Sequence, residues 1–392
     1  MEKKVITLYS RRCLPMLVVM LSLVLATVAS SYANSTVRVL LASSESKIEI
    51  RSDAKIIVEV ENEREDIRSG EVIISSNGVG VVLNGSNIDS NRIFLSSKSP
   101  LDYKAKQYIG KLEIINDYGS FQLINHLPLE LYIEGVVASE IAYNWPMESL
   151  KAQAIASRSY AIYHINRSAN QPFDLKADVS SQVYNGIHES NSNIRKAVQA
   201  TNGLVIKSSG KIAEALFHSS SGGKTEDIAN LWSKEKRSYL ISRPALDANS
   251  PYDYWEIEFN KDIVREALNK KGYKVGEILH ITPASLTSSG RINNLRIVHS
   301  TPTQITLIDG YSFRAAIGST KIRSTRFKVS YDDNSRFLFV GRGYGHGVGM
   351  SQYAAKNMAA SGYTYQDILK YFYKGVRIEK LKKDEDQYAF NF

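Results

Sequence analysis

Two hydrophobic periods divide this chain, and the place where one gives way to the other is the strongest constraint on its fold. Over residues 34–120 the apolar runs VRVLLAS, KIEIRS, KIIVEVE, EVIIS, GVVLNG, RIFLSS and KLEII are short, alternating, and divided by Gly, Asn, Asp and Ser. A period of two with turn residues between the runs makes strands, so this part is β-rich. From Leu129 the period becomes helical and persists to about Asn166, with Pro128 ahead of the first helix and Asn144, Trp145 and Pro146 between the first and second. A proline at a helix start lacks only a donor that would be unpaired there anyway. Residues 170–184 read as a loop, 190–201 as a helix, GLVIKS as a strand, and 212–218 as a strand running into SSSGGKTE, whose small residues let the backbone bend close to a ligand. The more polar residues 259–327 hold a short helix and several strands around SGRINNLRIV and YSFRAAIGS. RFLFVGRGYGHGVGM is strand then glycine turn, SQYAAKNMAASG a helix closed by Gly362, and TYQDILKYFYKG a last helix.

These patterns give an α+β, multi-domain chain, as 392 residues with 43% apolar content suggest. The expected division is a signal peptide at 1–33, a β-rich N-terminal part at 34–122, a helical catalytic core at 123–258 and 336–380, an inserted mostly-β subdomain at 259–335, and a C-terminal tail at 381–392. The signal rests on Lys3, Lys4, Arg11 and Arg12 ahead of an apolar run over 14–28, with Ser31 and Ala33 as small residues before Asn34. The expected location is therefore the periplasm or cell envelope. The run is shorter than the ~20 residues of a spanning helix, so membrane contact is expected only if the signal stays uncleaved. Cys13, the single cysteine, precedes that run and would leave with it, so the exported chain would have neither disulfides nor a thiolate. Of the formal net charge of +9, the signal accounts for +3, leaving a mildly basic +6. No Lys/Arg run interleaved with aromatics appears, so nucleic acid is not an expected partner. The excess suits an anionic cell-surface polymer about as well as it suits ordinary solubility.

The chemistry centres on Glu140, at the seam between the first two helices, among Val136, Val137, Ile141 and Trp145. An apolar setting raises a carboxyl pKa and keeps a proton available near neutrality. Glu134 and Glu148 are rivals, one on an ordinary polar face and the other in a first turn where the helix dipole accounts for it. Lys151, Ile155 and Arg158 lie on one stripe of the second helix. Their cations either pair with carboxylates inside the fold or orient Glu140 and substrate. The run GRGYGHGVGMSQY fits neither a dinucleotide nor a Walker spacing, and its alternating glycines suggest a backbone pressed against a ligand with His346 pointing into the site. His218 directly precedes the Ser219 and Ser220 bend. No pair of histidines has metal-ligand spacing, and no Gly-x-Ser-x-Gly elbow supports a serine triad.

Three stretches taken in order, LPLELYIEGVVASEIAYNWPMESLKAQAIASRSYA, FHSSSGGKTE with the following Trp232, and GRGYGHGVGMSQYAAKNMAASGYTYQDILKYFYKG, resemble the stage II sporulation protein D family, also called the amidase-enhancer LytB family. SGRINNLRIV and YSFRAAIGSTKIRSTRF extend the resemblance to most of the chain. It implies a lytic transglycosylase acting on peptidoglycan glycan strands stripped of stem peptides, with Glu140 as the catalytic acid. Lys151, Arg158, Tyr160, His218, Ser219, Ser220, His346, Ser351 and Gln352 are the implied substrate-binding residues. Some relatives bind zinc through cysteines and a His before a Gln-x-Tyr element; here KADVSSQVY offers Ser180 and Ser181, so neither metal nor other cofactor is expected. In the implied reaction Glu140 protonates the glycosidic oxygen, then takes the proton of the sugar's own 6-hydroxyl as that oxygen closes on the anomeric carbon. A hydrolase would want a second carboxylate at ~5 to 9.5 Å, and no motif supplies one. Two other readings stay open: a glycan-binding module that stimulates a cell-wall amidase, and a structural envelope component.

Overall fold

The computed structural model describes residues 36–381 apart from 61–62, 68–69, 78–79, 188–191, 232–235, 301–304 and 333–335, and for 63–67 the strand alone. The signal segment, Trp232, His188 and the C-terminal tail lie outside the described residues. No described helix is long and apolar enough to cross a membrane.

The alternating runs form two sheets. One is seven-stranded, with Thr36–Glu45 and Ser120–Pro128 antiparallel near one edge; the other is six-stranded and contains Lys47–Arg51 and Glu71–Ser76. Alternation settles which face is buried: in Lys47–Arg51 only Ile48 and Ile50 are sequestered from solvent. Strand pairing ends at Pro128, where the chain turns directly into helix α1, Leu129–Glu140. An extended Ile141 and a turn closed by Trp145 N–H on Ala142 O lead to α2, Met147–Ile165, which starts after Pro146. Helix α3, Ser192–Ala200, packs on both. The small side chains of α2, among them Ala152, Ala154, Ala156 and Ala161, are fully buried, letting neighbours approach closely.

Residues 212–218 depart from the expected single strand. Lys211–Ile212 and Phe217–His218 are separate short strands, because Leu216 N–H turns back onto Glu214 O. Phe217–His218 then runs parallel to Met350–Ser351, placing residue 219 beside residue 352. Between those stretches, side chains from Trp255 to Phe339 form a hydrophobic core of their own, built from two three-stranded sheets, α4 (Lys261–Lys270) and α5 (Gly310–Ile317). YSFRAAI, read in sequence as part of the strand pattern, is helical: Asp309 caps it by accepting from Ser312 N–H at 2.8 Å. The chain returns through strand Arg336–Gly341, α6 (Gln352–Ala360), capped by Ser351, and α7 (Tyr365–Phe372), whose Thr364 and Asp367 form a capping box. The fold is α+β, with seven helices among the described residues and a β-rich N-terminal part.

Candidate active site

Glu140 is the last residue of α1, where the helix stops and its side chain faces an open groove of about 340 Å³ instead of the helix packing. The groove is lined by residues 138–142, Trp145, Ser219, Tyr252, Gln352 and Tyr353, so four separated parts of the chain build it. Two donors fix the carboxylate: Val183 N–H to Oε1 at 2.9 Å and Gln352 Nε2 to Oε2 at 3.2 Å. Val183 belongs to the KADVSSQVY loop, which is held by Gln182 Nε2 on Ser157 O and by Asn185 N–H on Ser139 Oγ. Gln352 is itself near Gln153, whose amide reaches Ser157, so the groove floor continues into a buried amide network.

Burial pushes the Glu140 carboxyl above its ordinary pKa, and the hydrogen bonds from Val183 and Gln352 only partly oppose this. Among the described residues no cation pairs with Glu140, and it is the one carboxylate lining the groove. The rivals differ. The Glu134 carboxyl is also raised by burial but lies against Arg195 at 3.5 Å. For Glu148 burial is outweighed by Lys151 and Tyr365 N–H, which hold its carboxyl below the usual range.

One side of the groove is aromatic. Trp145 and Tyr353 meet edge to face at 5.0 Å, Tyr353 and Tyr252 at 5.9 Å, and Tyr252 continues to Tyr344 at 4.8 Å. Other lining side chains are polar: Ser139, Ser219 and Gln352. Apolar faces with a few directed polar groups suit a ring-shaped, hydroxyl-rich ligand. No group of three or more His, Cys, Asp or Glu side chains converges among the described residues, so nothing there is arranged to hold a metal.

Comparison with known proteins fits this geometry. Residues 117–207, which carry Glu140, Gln153 and Val183, match the family model described as stage II sporulation protein (SpoIID), and 252–349 match a domain of unknown function. An uncharacterised protein of Brachyspira hyodysenteriae is 30% identical over 308 residues, spanning 78% of this chain and 82% of its own length. Stage II sporulation protein D of Bacillus subtilis is 28% identical over 315 residues, 76% and 87% respectively. The chain belongs to the SpoIID/LytB family. The amidase enhancer of Bacillus subtilis is 30% identical over 290 residues, covering 63% of this chain but only 40% of the enhancer.

In this SpoIID/LytB member six of the nine residues implied to bind substrate fall into three pairs. Ser219 and Gln352 join Glu140 in the groove. Ser220 and Ser351 lie beneath it, both donating to Asp247 Oδ2, at 3.2 and 3.0 Å. His218 and His346 pack with their rings tilted, centres 5.5 Å apart, but do not line the groove. Burial brings the His218 imidazole down to about 3, and burial with His218 as neighbour holds His346 well below the usual value, so both are neutral.

The other three, Lys151, Tyr160 and Arg158, are not among the residues that line the groove. Lys151 pairs with Glu148 at 2.7 Å, and Glu148 also accepts from Tyr365 N–H, so the pair ties α2 to α7. Tyr160 is buried against His164 at 4.3 Å. Arg158 is 0% exposed, gripping Glu130 through two bonds of 2.7 and 2.6 Å and donating to Leu204 O. It has no surface to offer a substrate, so the buried ion pair is its role. Arg158→Met should lower stability by about 2–3 kcal/mol, short of the ~3–5 of a fully buried pair because Glu130 keeps 19% exposure to water. Urea denaturation checks this, with activity per folded molecule unchanged.

The glycine run also differs from its sequence reading. Its backbone is pressed against its own fold, not against a ligand: a Cβ at Gly347 would sit 2.5 Å from the Arg291 guanidinium, and one at Gly349 would strike Leu216 O. Both have positive φ, +87° and +74°, which glycine adopts without strain. The sequence reading passed over Val183, Tyr252 and Asp247. Val183 acts through its backbone, which no side-chain pattern reveals; Tyr252 and Asp247 sit in DANSPYDYW, a stretch without periodicity.

Proposed function

We propose that this protein is a lytic transglycosylase that cleaves peptidoglycan glycan strands lacking stem peptides and leaves 1,6-anhydro ends. The observation that carries the reading is Glu140: one carboxyl group, raised by burial, aimed into an aromatic-sided groove with no second carboxylate among the described residues of its walls. As an acid it gives its proton to the glycosidic oxygen while the bond to the anomeric carbon breaks. As a carboxylate it then takes the proton of the 6-hydroxyl on the same sugar, whose oxygen bonds to that carbon. The proton count closes on one residue, and no water is consumed. Val183 N–H and Gln352 stabilise the carboxylate between the two steps. Tyr353 and Trp145 offer stacking faces for sugar rings, and Ser219 and Gln352 offer hydrogen bonds to hydroxyls. Export to the cell envelope belongs to the same proposal.

The relative named amidase enhancer favours a second reading, in which the groove binds glycan and stimulates a cell-wall amidase without cutting. One experiment separates the two. Purified protein is incubated with denuded strands, and the products are examined by mass spectrometry. Anhydro-terminated fragments are expected; intact strands retained by the protein would establish the binding reading and overturn the enzymatic one.

A further inference from the structure

The aromatic wall carries two cations at its rim. Lys356 Nζ lies 5.2 Å from the Trp145 ring centre and 5.8 Å from that of Tyr353. The Arg323 guanidinium lies 5.7 Å from the ring of Tyr252. The two therefore sit over different rings of one wall, Lys356 at the Trp145 end and Arg323 at the Tyr252 end. Both are half-buried, and among the described residues neither is within ion-pair reach of a carboxylate. A cation–ring contact at an exposed site contributes only about 0.5–1 kcal/mol, which leaves most of the charge available to a ligand.

The placement of this charge also matters. A cation beside Glu140 would favour the ionised carboxyl and remove the proton that an acid needs. Burial and two hydrogen-bond donors are what act on that carboxyl; Lys356 and Arg323 do not line its groove but lie against three rings that do, those of Trp145, Tyr353 and Tyr252. Such an arrangement can hold negative charge carried by a polymer without disturbing the acid.

We infer that Lys356 and Arg323 are specificity residues that read the lactyl carboxylates of the strand lying on the aromatic wall. This deepens the transglycosylase reading and rests on it. A lactyl group carries a free carboxylate when no peptide is attached and an uncharged amide linkage when one is. The two cations thus convert removal of the stem peptide into a gain in binding, with no need for the groove to measure the peptide's size.

The test compares denuded strands bearing free carboxylates with the same strands after methyl esterification, on wild type, Lys356→Met and Arg323→Met. On free-carboxylate strands each substitution should raise KM about fivefold, near the ceiling for a solvent-exposed ion pair. On esterified strands wild type and variants should converge, since the partner charge is gone. If cleavage proceeds with the same KM on both kinds of strand, or if the variants match wild type on free-carboxylate strands, the inference is wrong and the transglycosylase reading stands. If no strand yields anhydro ends, that reading falls, and retention of strands by Glu140→Gln protein decides the inference alone: preference for the free carboxylate supports it, and equal retention overturns it. Esterification alters only the strand, so the outcome does not depend on how well a variant folds.

Discussion

Glu140→Gln should reduce release of anhydro-terminated fragments by about a hundredfold to ten-thousandfold, the range that positioned acid and base catalysis contributes. The amide has the carboxylate's shape, so its oxygen can still accept from Val183 N–H, and the side chain remains in the groove. What it loses is the ability to give a proton and take one back. Initial rates on denuded strands measure the effect, and a variant that cleaves at the wild-type rate would remove Glu140 from the chemistry.

The same substitution has an opposite effect on stability, and its pH dependence has a definite sign. The Glu140 carboxyl is raised in the folded protein, first by burial, so the native state holds this proton more tightly than the unfolded chain does. Stability from the protonated form is fully present below the unfolded value, about 4.3, and is lost as pH rises through the folded one. A glutamine does not titrate. Glu140→Gln should therefore match wild type in acid and become the more stable of the two at higher pH. Thermal melts at several pH values test this, and a wild type that gains on the variant as pH rises would contradict the assigned direction. Activity on soluble fragments should fall on the alkaline side, as the free enzyme's acid loses its proton.

How much of this was legible in sequence depends on the range of each interaction. The helix starts were readable because their signals are local: Pro128, Pro146 and the Thr364–Asp367 box lie at or beside the ends they define. Lys151 could have been assigned in the same way, since its partner Glu148 is three residues earlier on the same face. Arg158 could not, because Glu130 is 28 residues away and on another helix. For YSFRAAI the short apolar run fits either period, and the Asp309 cap, though local, decides it only once helix is already considered. The glycine alternation correctly signals a crowded backbone. What crowds it, Arg291 and residue 216, comes from distant parts of the chain.

Asp247 is the extreme of that range, and its replacement should have the largest effect on stability. The carboxylate is 1% exposed and accepts from five donors: the N–H groups of Ser221, Gly222 and Gly223 and the hydroxyls of Ser220 and Ser351. These donors come from two segments beside the groove, one following Ser219 and the other leading to Gln352. In Asp247→Ala the hydroxyls can turn elsewhere and the exposed Gly223 keeps Ser221 Oγ as an acceptor at 3.2 Å, but the N–H groups of Ser221 and Gly222 are fixed by the backbone and remain buried without acceptors. At roughly 1–3 kcal/mol for each unsatisfied group, the loss should be about 2–6 kcal/mol, a large part of the ~5–15 that a folded protein has. Asp247→Asn distinguishes a missing acceptor from a disturbed cavity. Its amide oxygen can replace Oδ2, which takes four of the five bonds, leaving one N–H, that of Gly223, facing an NH2 group. The asparagine variant should therefore lose clearly less than the alanine variant in urea titrations, and retain more activity because Ser219 and Gln352 keep their places. Equal losses in the two would mean that the carboxylate's charge, not its pattern of accepted bonds, holds the segments together.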